Sequence, residues 1–321
     1  MQPKVSIIVL NWNGEKYLEN CVNSLLKTSY PNIEIIIVDN ASTDGSQKIV
    51  EKFAHVRLIQ NEKNYGYAGG NNIGFKHASG KYVVALNNDM YVEPDWLDAP
   101  IDYMEKDDTI GIAGCRQMRF DKKTIDGLFR IYRKDLTTDA LGAEENYSGD
   151  YTTYKAGFVI GVNGGSAIYR KKAIDEINGF DEHFFGYFED VDICLRAVIY
   201  GWRILYVPSS VVYHIGGASF RKDNRKMLYL LERNRIWFIY KNYPVSELLK
   251  HSIHLIFYEI RHIYATFFKQ RDPKFYFETR LDALNGLKLF SQNRKENVKS
   301  FGNVKRVYKL LIKQKIIAVD E

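Results

Sequence analysis

Several short apolar runs of this sequence end on a polar residue that could do chemistry: Asn11 after Val5–Leu10, Asp39 after Ile33–Val38, Asn61 after Val56–Ile59, and Asn87-Asn88-Asp89 after Tyr82–Leu86. Asp39 stands before a turn-forming run, Asn40-Ala41-Ser42-Thr43-Asp44-Gly45, which could present its carboxylate to the donor groups of a nucleotide base. Capping of the next helix is the competing use of that turn. Asn11 suits the same base and a strand-end cap equally. Gly66, Gly69, Gly70 and Gly74 surround Asn71 and Asn72, and glycines let backbone approach a ligand closely. The stretch is neither GxGxxG nor GxxxxGK[ST], which disfavours dinucleotide binding and ATP hydrolysis. Asp89 offers the oxygen ligand that a hard divalent cation prefers. Glu189-Asp190 places two carboxylates in the first turn of a helical pattern, where the helix dipole favours anions.

These residues need elements to hold them. Up to about residue 115, β-branched runs alternate with helical patterns, which predicts βαβ units and a mostly parallel sheet. Helices are expected at Glu15–Lys27, Ser42–Phe53, Ala68–Ala78 and Pro94–Glu105. Ligands of such sheets lie beyond the carboxyl ends of the strands, where the polar residues above are found. Residues 116–156 read as an extended, mobile loop or hairpin region. Glu189 opens a helix to about Tyr200, and strands follow at Arg203–Val207 and Val211–His214. Past residue 224 the pattern turns helical. Ile253, Ile256, Phe257, Ile260, Ile263, Tyr264, Phe267 and Phe268 share one helical face, with Leu255 and Tyr258 off it. Val307, Leu310, Leu311 and Ile317 form a second stripe.

Seven ordered blocks resemble one family. Val-Ser-Ile-Ile-Val-Leu-Asn-Trp-Asn at 5–13, Ile-Val-Asp-Asn-Ala-Ser-Thr-Asp-Gly-Ser at 37–46, Asn-Tyr-Gly-Tyr-Ala-Gly-Gly-Asn-Asn at 64–72 and Leu-Asn-Asn-Asp at 86–89 open the series. Phe-Glu-Asp-Val-Asp-Ile-Cys-Leu-Arg at 188–196, preceded by Gly-Phe-Asp-Glu-His-Phe-Phe at 179–185, and Tyr-His-Ile-Gly-Gly-Ala-Ser at 213–219 complete it. Over residues 3–220 the chain resembles glycosyltransferase family 2, including its rhamnosyltransferase-like members. The resemblance implies a GT-A fold, that is, a Rossmann-like, mostly parallel α/β sheet flanked by helices, and inverting transfer from a UDP- or dTDP-sugar. It implies Asp190 as general base, with Glu189, Gly164 and Gly165 around the acceptor. Asn11, Asp39, Asn71, Asn72, Asn88 and Asp89 fall on the donor side, and Asp89 and His214 become ligands of Mn²⁺ or Mg²⁺. Asn87 stands where the family motif begins with an acid. The implied acceptor is a glycan or a lipid-linked glycan. A nucleotide-sugar-forming nucleotidyltransferase and a nucleotide-sugar-binding scaffold without turnover are the rival readings.

The net charge of +6 conceals an asymmetry: residues 1–224 hold 25 basic against 30 acidic residues, and residues 225–321 hold 20 against 9. We divide the chain accordingly into a catalytic domain, 1–224, and a basic amphipathic helical region, 225–321. No nucleic-acid recognition motif accompanies the basic charge. Stripes, charge and aromatics together suit peripheral membrane contact, with homo-oligomerisation as a second use of the same helices. Cys21, Cys115 and Cys194 lack metal or disulfide spacing. With no signal-peptide pattern or long apolar span, the expected location is the cytoplasm, at the inner face of the cell membrane.

Overall fold

The structure is a computed structural model that describes residues 2–145, 155–215, 224–300 and 317–318. Its first part runs β1 (Val5–Asn11), α1 (Glu15–Leu25), β2 (Ile33–Asp39), α2 (Ser46–Val50), β3 (Val56–Gln60), α3 (Gly66–His77), β4 (Tyr82–Asn87), β5 (Met90–Val92), α4 (Asp98–Lys106) and β6 (Ile110–Arg119). There follow β7 (Ile125–Gly127), β8 (Arg130–Tyr132), β9 (Thr138–Ala140), β10 (Gly157–Val159), β11 (Ser166–Arg170), α5 (Lys171–Glu176), α6 (Glu189–Ile199) and β12 (Arg203–His214). The last part comprises α7 (Asn224–Asn242), α8 (Val245–Lys250), α9 (Ser252–Tyr264), α10 (Pro273–Gly286) and β13 (Ile317–Ala318).

The main sheet has the order β13-β10-β12-β6-β11-β4-β1-β2-β3. It is parallel across β3-β2-β1-β4 and again across β6-β12, with β11 antiparallel between the two blocks. Strands covered on both faces read as unbroken apolar runs, as Val5–Val9 and Val83–Leu86 do, all of them buried except that Ser6 interrupts the first with a buried hydroxyl. Register then decides what meets at the carboxyl ends: Asn11 pairs with Asp39, and Leu10 with Asn87.

Three expectations change. The helix expected over Ser42–Phe53 shrinks to Ser46–Val50 because the turn before it is otherwise engaged. Ala41 has φ 56°, Ser42 bonds back to Asp39, and Asp44 accepts from the backbone of Ser46 and Glu15. The strands expected at Arg203–Val207 and Val211–His214 are one strand, irregular between Val207 and Val211, where Pro208 cannot donate to the ladder. Finally, the described part of 116–156 is built rather than loose. Ile125, Leu128, Phe129, Tyr132 and Leu136 are buried in the same core as Phe238 and Tyr243 after it. Its apolar residues are spaced for short strands, a pattern too brief to separate from loop by periodicity.

The core does not stop at residue 224. From α7 and beyond, Trp237, Phe238, Tyr243 and Phe290 join the cluster that contains α6, each contributing roughly 1.5–3 kcal/mol on burial. Lys241, fully buried, extends its ammonium to Asp181 at 2.6 Å and to Asp192 of α6 at 2.8 Å. Asp192 also receives Arg196 and Asn242. α9 is turned opposite to a core helix: its apolar stripe is exposed, and Leu255 and Tyr258 are the half-buried side. The stripe at 307–311 lies outside the described residues.

Candidate active site

At the carboxyl ends of β1 and β4 opens a cavity of ≈ 1240 Å³, larger than the roughly 300–1,000 Å³ of a single small-molecule pocket. Asn88 and Asp89 line one part of it, Glu189 and Asp190 another, and Tyr258 to Tyr264 of α9 reach its outer part.

On the β1–β2 side the expected donor residues sit one layer deeper. Asp39 is buried and accepts from Asn11 Nδ2 at 2.7 Å, Gln47 Nε2 at 2.9 Å, and the Ser42 hydroxyl at 2.5 Å. Asn11 in turn accepts from Asn88 Nδ2 at 2.7 Å. A Cβ on Gly14 would stand 2.3 Å from Asn11 Oδ1 and 2.0 Å from Asn88 Nδ2, so this bond requires glycine there. Of the three, only Asn88 lies on the cavity wall, where Asn40 joins it. Asn71 and Asn72 are not on that wall either. Asn72 clamps Phe180 through both its amide atoms, and Asn71 bonds to the Tyr67 carbonyl of its own helix. Their glycine neighbours serve packing: Gly70 faces Leu10 and Asn40, and Gly74 faces Ile8.

β12 brings His214 beside Asp89, with Nε2 3.3 Å from Asp89 Oδ2, while its Nδ1 lies 2.8 Å from Asp126 Oδ2. Burial works against the imidazolium, but the bonds to Asp126 and Asp89 outweigh it and raise His214 to about 9. Among the described residues no group of three or more His, Cys, Asp and Glu forms a complete metal shell. The donor set nevertheless fits a divalent cation held partly by its substrate: one carboxylate, one imidazole nitrogen, and a second carboxylate orienting the other ring nitrogen. The Gly216-Gly217-Ala218-Ser219 continuation lies outside the described residues.

Glu189 and Asp190 open α6 from the opposite side. Asp190 Oδ2 receives Arg130 Nη2 of β8 at 2.7 Å and the Gly164 amide at 3.3 Å. A Cβ on Gly164 would meet Asp190 Cβ at 2.8 Å, so glycine is needed there for close approach, whereas one on Gly165 would meet the movable end of Met90 at 2.6 Å. Tyr67 donates its hydroxyl to the Gly164 carbonyl at 2.5 Å. Glu189 is pushed up to about 8, by burial first and then by the Asp190 charge, and its Oε2 is buried without a hydrogen-bond partner. Burial thus favours the neutral form of Glu189.

The turn before α6 holds three non-glycine residues at positive φ, Phe185, Tyr187 and Phe188. Such backbone is costly and persists only where its surroundings hold it. Asn234 of α7 does so, with Nδ2 2.8 Å from the carbonyl oxygens of Phe184, Gly186 and Tyr187. Asp126, Arg130, Asn234 and Lys241 were not legible as site residues. Arg130 is the one polar residue of the apolar run Leu128-Phe129-Arg130-Ile131-Tyr132, a faint strand signal that says nothing of its partner.

Comparison with known proteins settles the family. A model described as glycosyl transferase family 2 matches residues 6–177, more than half of the chain. The chain belongs to that family. Among curated relatives, an uncharacterized glycosyltransferase of Haemophilus influenzae is 33% identical over 116 residues, which is 35% of this chain and 36% of its own. Glycosyltransferase GlyG of Streptococcus pneumoniae is 28% identical over 167 residues, 50% of this chain and 55% of its own. The chain thus spans about half or less of the length of these relatives. A solved mannosyltransferase of Pyrobaculum calidifontis, in complex with GDP-Man and Mn²⁺, superposes with a TM-score of 0.57 at 16% identity, covering 98% of this chain and 89% of that one. A structure of GalNAc-T7 with UDP, GalNAc and Mn²⁺ gives 0.65 at 15% identity, covering 96% and 57%. At such identities the likeness speaks for the fold, and the GT-A-like α/β architecture with a helical C-terminal region is the one observed.

Proposed function

We propose that this family 2 protein transfers a sugar from a nucleoside-diphosphate donor to a hydroxyl of a glycan or lipid-linked acceptor, with inversion at the anomeric carbon. The observation that carries the reading is the convergence on one cavity of Asp190, held by Arg130 and Gly164, with Asp89 and His214. The nucleotide lies over Asn40 and Asn88, backed by Asn11 and Asp39, which fix the shape of that wall. UDP- or dTDP-hexose or rhamnose donors fit this reading, and polysaccharide assembly at the cytoplasmic face of the cell membrane is its setting. The O-antigen biosynthesis protein RfbC of Myxococcus xanthus, 29% identical over 69% of this chain and 18% of its own, supports the polysaccharide part of that setting.

Asp89 and His214 would hold Mn²⁺ or Mg²⁺, with Asp126 orienting the imidazole; such a cation stabilises the charge that develops on the departing diphosphate. Asp190 takes the acceptor hydroxyl's proton as that oxygen attacks from the face opposite the nucleotide. Arg130 and the Gly164 amide fix its Oδ2 in position, so the proton moves late, once charge has built on the attacking oxygen. Neutral Glu189 beside it can donate to a sugar hydroxyl without adding a second anion.

A panel of UDP- and dTDP-sugars, assayed with Mn²⁺ and a glycan acceptor, tests this. Asp190→Asn should lower transfer by about 10²–10⁴-fold while nucleotide binding persists. Normal transfer by that variant would remove Asp190 from the base role, and turnover of no donor would leave a binding scaffold.

A further inference from the structure

The exposed side of α8 and α9 differs from the rest of the surface. Leu249, Ile253, Ile256, Phe257, Ile260 and Phe268 are each more than half exposed, and no residue of α9 is buried. A helix shaped only by its own core would point these side chains inward. Every exposed Lys, Arg, Asp or Glu between residues 248 and 274 is basic: Lys250, Arg261, Lys269, Arg271 and Lys274. The acids of that stretch, Glu259 and Asp272, are half-buried and paired with Arg280 and Arg225. Lys250 and Lys274 also reach Glu247 and Glu278, but contiguous apolar side chains bordered by exposed cations match the interfacial zone of an anionic bilayer, which offers hydrocarbon and negative charge at the same depth. No described helix is long and apolar enough to cross a membrane, so contact here means lying on the surface.

The position of this face links it to the chemistry. Ile260, Arg261, Tyr264 and Lys269 are exposed on it and also line the outer part of the catalytic cavity. We infer that α9 seats the enzyme in the headgroup region of an anionic membrane, so that the cavity opens at the bilayer surface and receives an acceptor carried on a lipid phosphate. Arg261 and Lys269, at the rim, meet the phosphate, and the acceptor glycan extends inward to Asp190. The inference rests on the transferase reading for its acceptor but not for its surface.

The test uses the full chain and two vesicle compositions, phosphatidylcholine alone and an equal mixture with phosphatidylglycerol. Sedimentation should capture the protein on the mixed vesicles, less so at high salt. Phe257→Ser with Phe268→Ser, both outside the cavity lining, should weaken capture at least about tenfold, with UDP or dTDP affinity in Mn²⁺ unchanged. Equal capture of both proteins, or of the wild type by neither vesicle, would overturn the inference. So would a wild-type dimer that the double substitution converts to a monomer without vesicle binding, since the face would then belong to a second copy. Loss of nucleotide binding in the wild type with vesicle capture intact would sink the transferase reading and leave the membrane surface standing.

Discussion

Lys241→Met removes the ammonium from a fully buried site and leaves a side chain of similar length. In the wild type Lys241 bridges Asp181 and Asp192, at 2.6 and 2.8 Å. Asp192 would keep Arg196 and Asn242. Among the described residues, Asp181 would keep only the His183 contacts and a longer one to Asn293, with its side chain 7% exposed. Orphaning one partner of such a buried pair costs about 3–5 kcal/mol, which in thermal unfolding corresponds to a loss of roughly 6–20 °C. The pH dependence separates charge from packing. Although burial opposes it, Lys241 holds Asp181 down at about 2 in the folded protein, below its unfolded value of about 3.9. The stability from this group is complete above the unfolded value and lost as pH falls through the folded one. In the variant the same carboxyl is buried without its cation and shifts upward, so mild acid relieves it first. The gap in melting temperature between wild type and variant should therefore narrow from pH 7 to pH 4, read by differential scanning fluorimetry at matched salt. A gap that is small at pH 7, or large and constant across that range, would refute the electrostatic account.

Other outcomes can be checked separately. Because the folded value of Glu189, about 8, stands above its unfolded one, the folded state holds the extra proton and wild-type stability declines as pH rises from about 4.3 to 8. Glu189→Gln should flatten that decline, and parallel melting curves for the two proteins over pH 5–8.5 would contradict it. Gly164→Ala forces a methyl against Asp190 Cβ and should reduce kcat roughly 100-fold. Gly186→Ala, with nothing within 4 Å of the added carbon, serves as its control; equal kcat in both would disprove the steric argument. Asp126→Asn should weaken Mn²⁺ affinity by roughly 10–100-fold in a nucleotide-dependent thermal shift, and Asp89→Ala or His214→Ala should weaken it further. An unchanged titration in all three would place the metal elsewhere.

Much of the first half was legible because its signals are local. Continuous β-branched runs gave β1, β2 and β4 to within a residue or two, and the polar residue closing each run had to emerge at the carboxyl edge. Glu189 at the start of α6 was legible for the same reason. Asn71 and Asn72 lie off the cavity wall, and a glycine-flanked asparagine reads alike whether its amide meets a ligand or a neighbouring backbone carbonyl. For Asn72 the bonds to Phe180 identify the second use. The stripe of α9 was legible as a face, but periodicity shows only that apolar residues share it; which way the face points came from the packing.

What the sequence by itself determined is therefore the order of strands and helices, the carboxylates and amides at their ends, and the basic charge of the last third. Dihedral preference, side-chain alternation and capping act within a few residues, and each leaves its mark in a short window. Only the tertiary structure decided that Arg130 meets Asp190 across 60 residues, that Asp126 meets His214 across 88, and that Asn234 holds the turn before α6, and Lys241 holds Asp192 of α6, from about 50 residues away. Those partners are chosen by where the sheet sets down distant segments. A buried charge must find its counter-charge in space, and spacing along the chain carries no record of that distance.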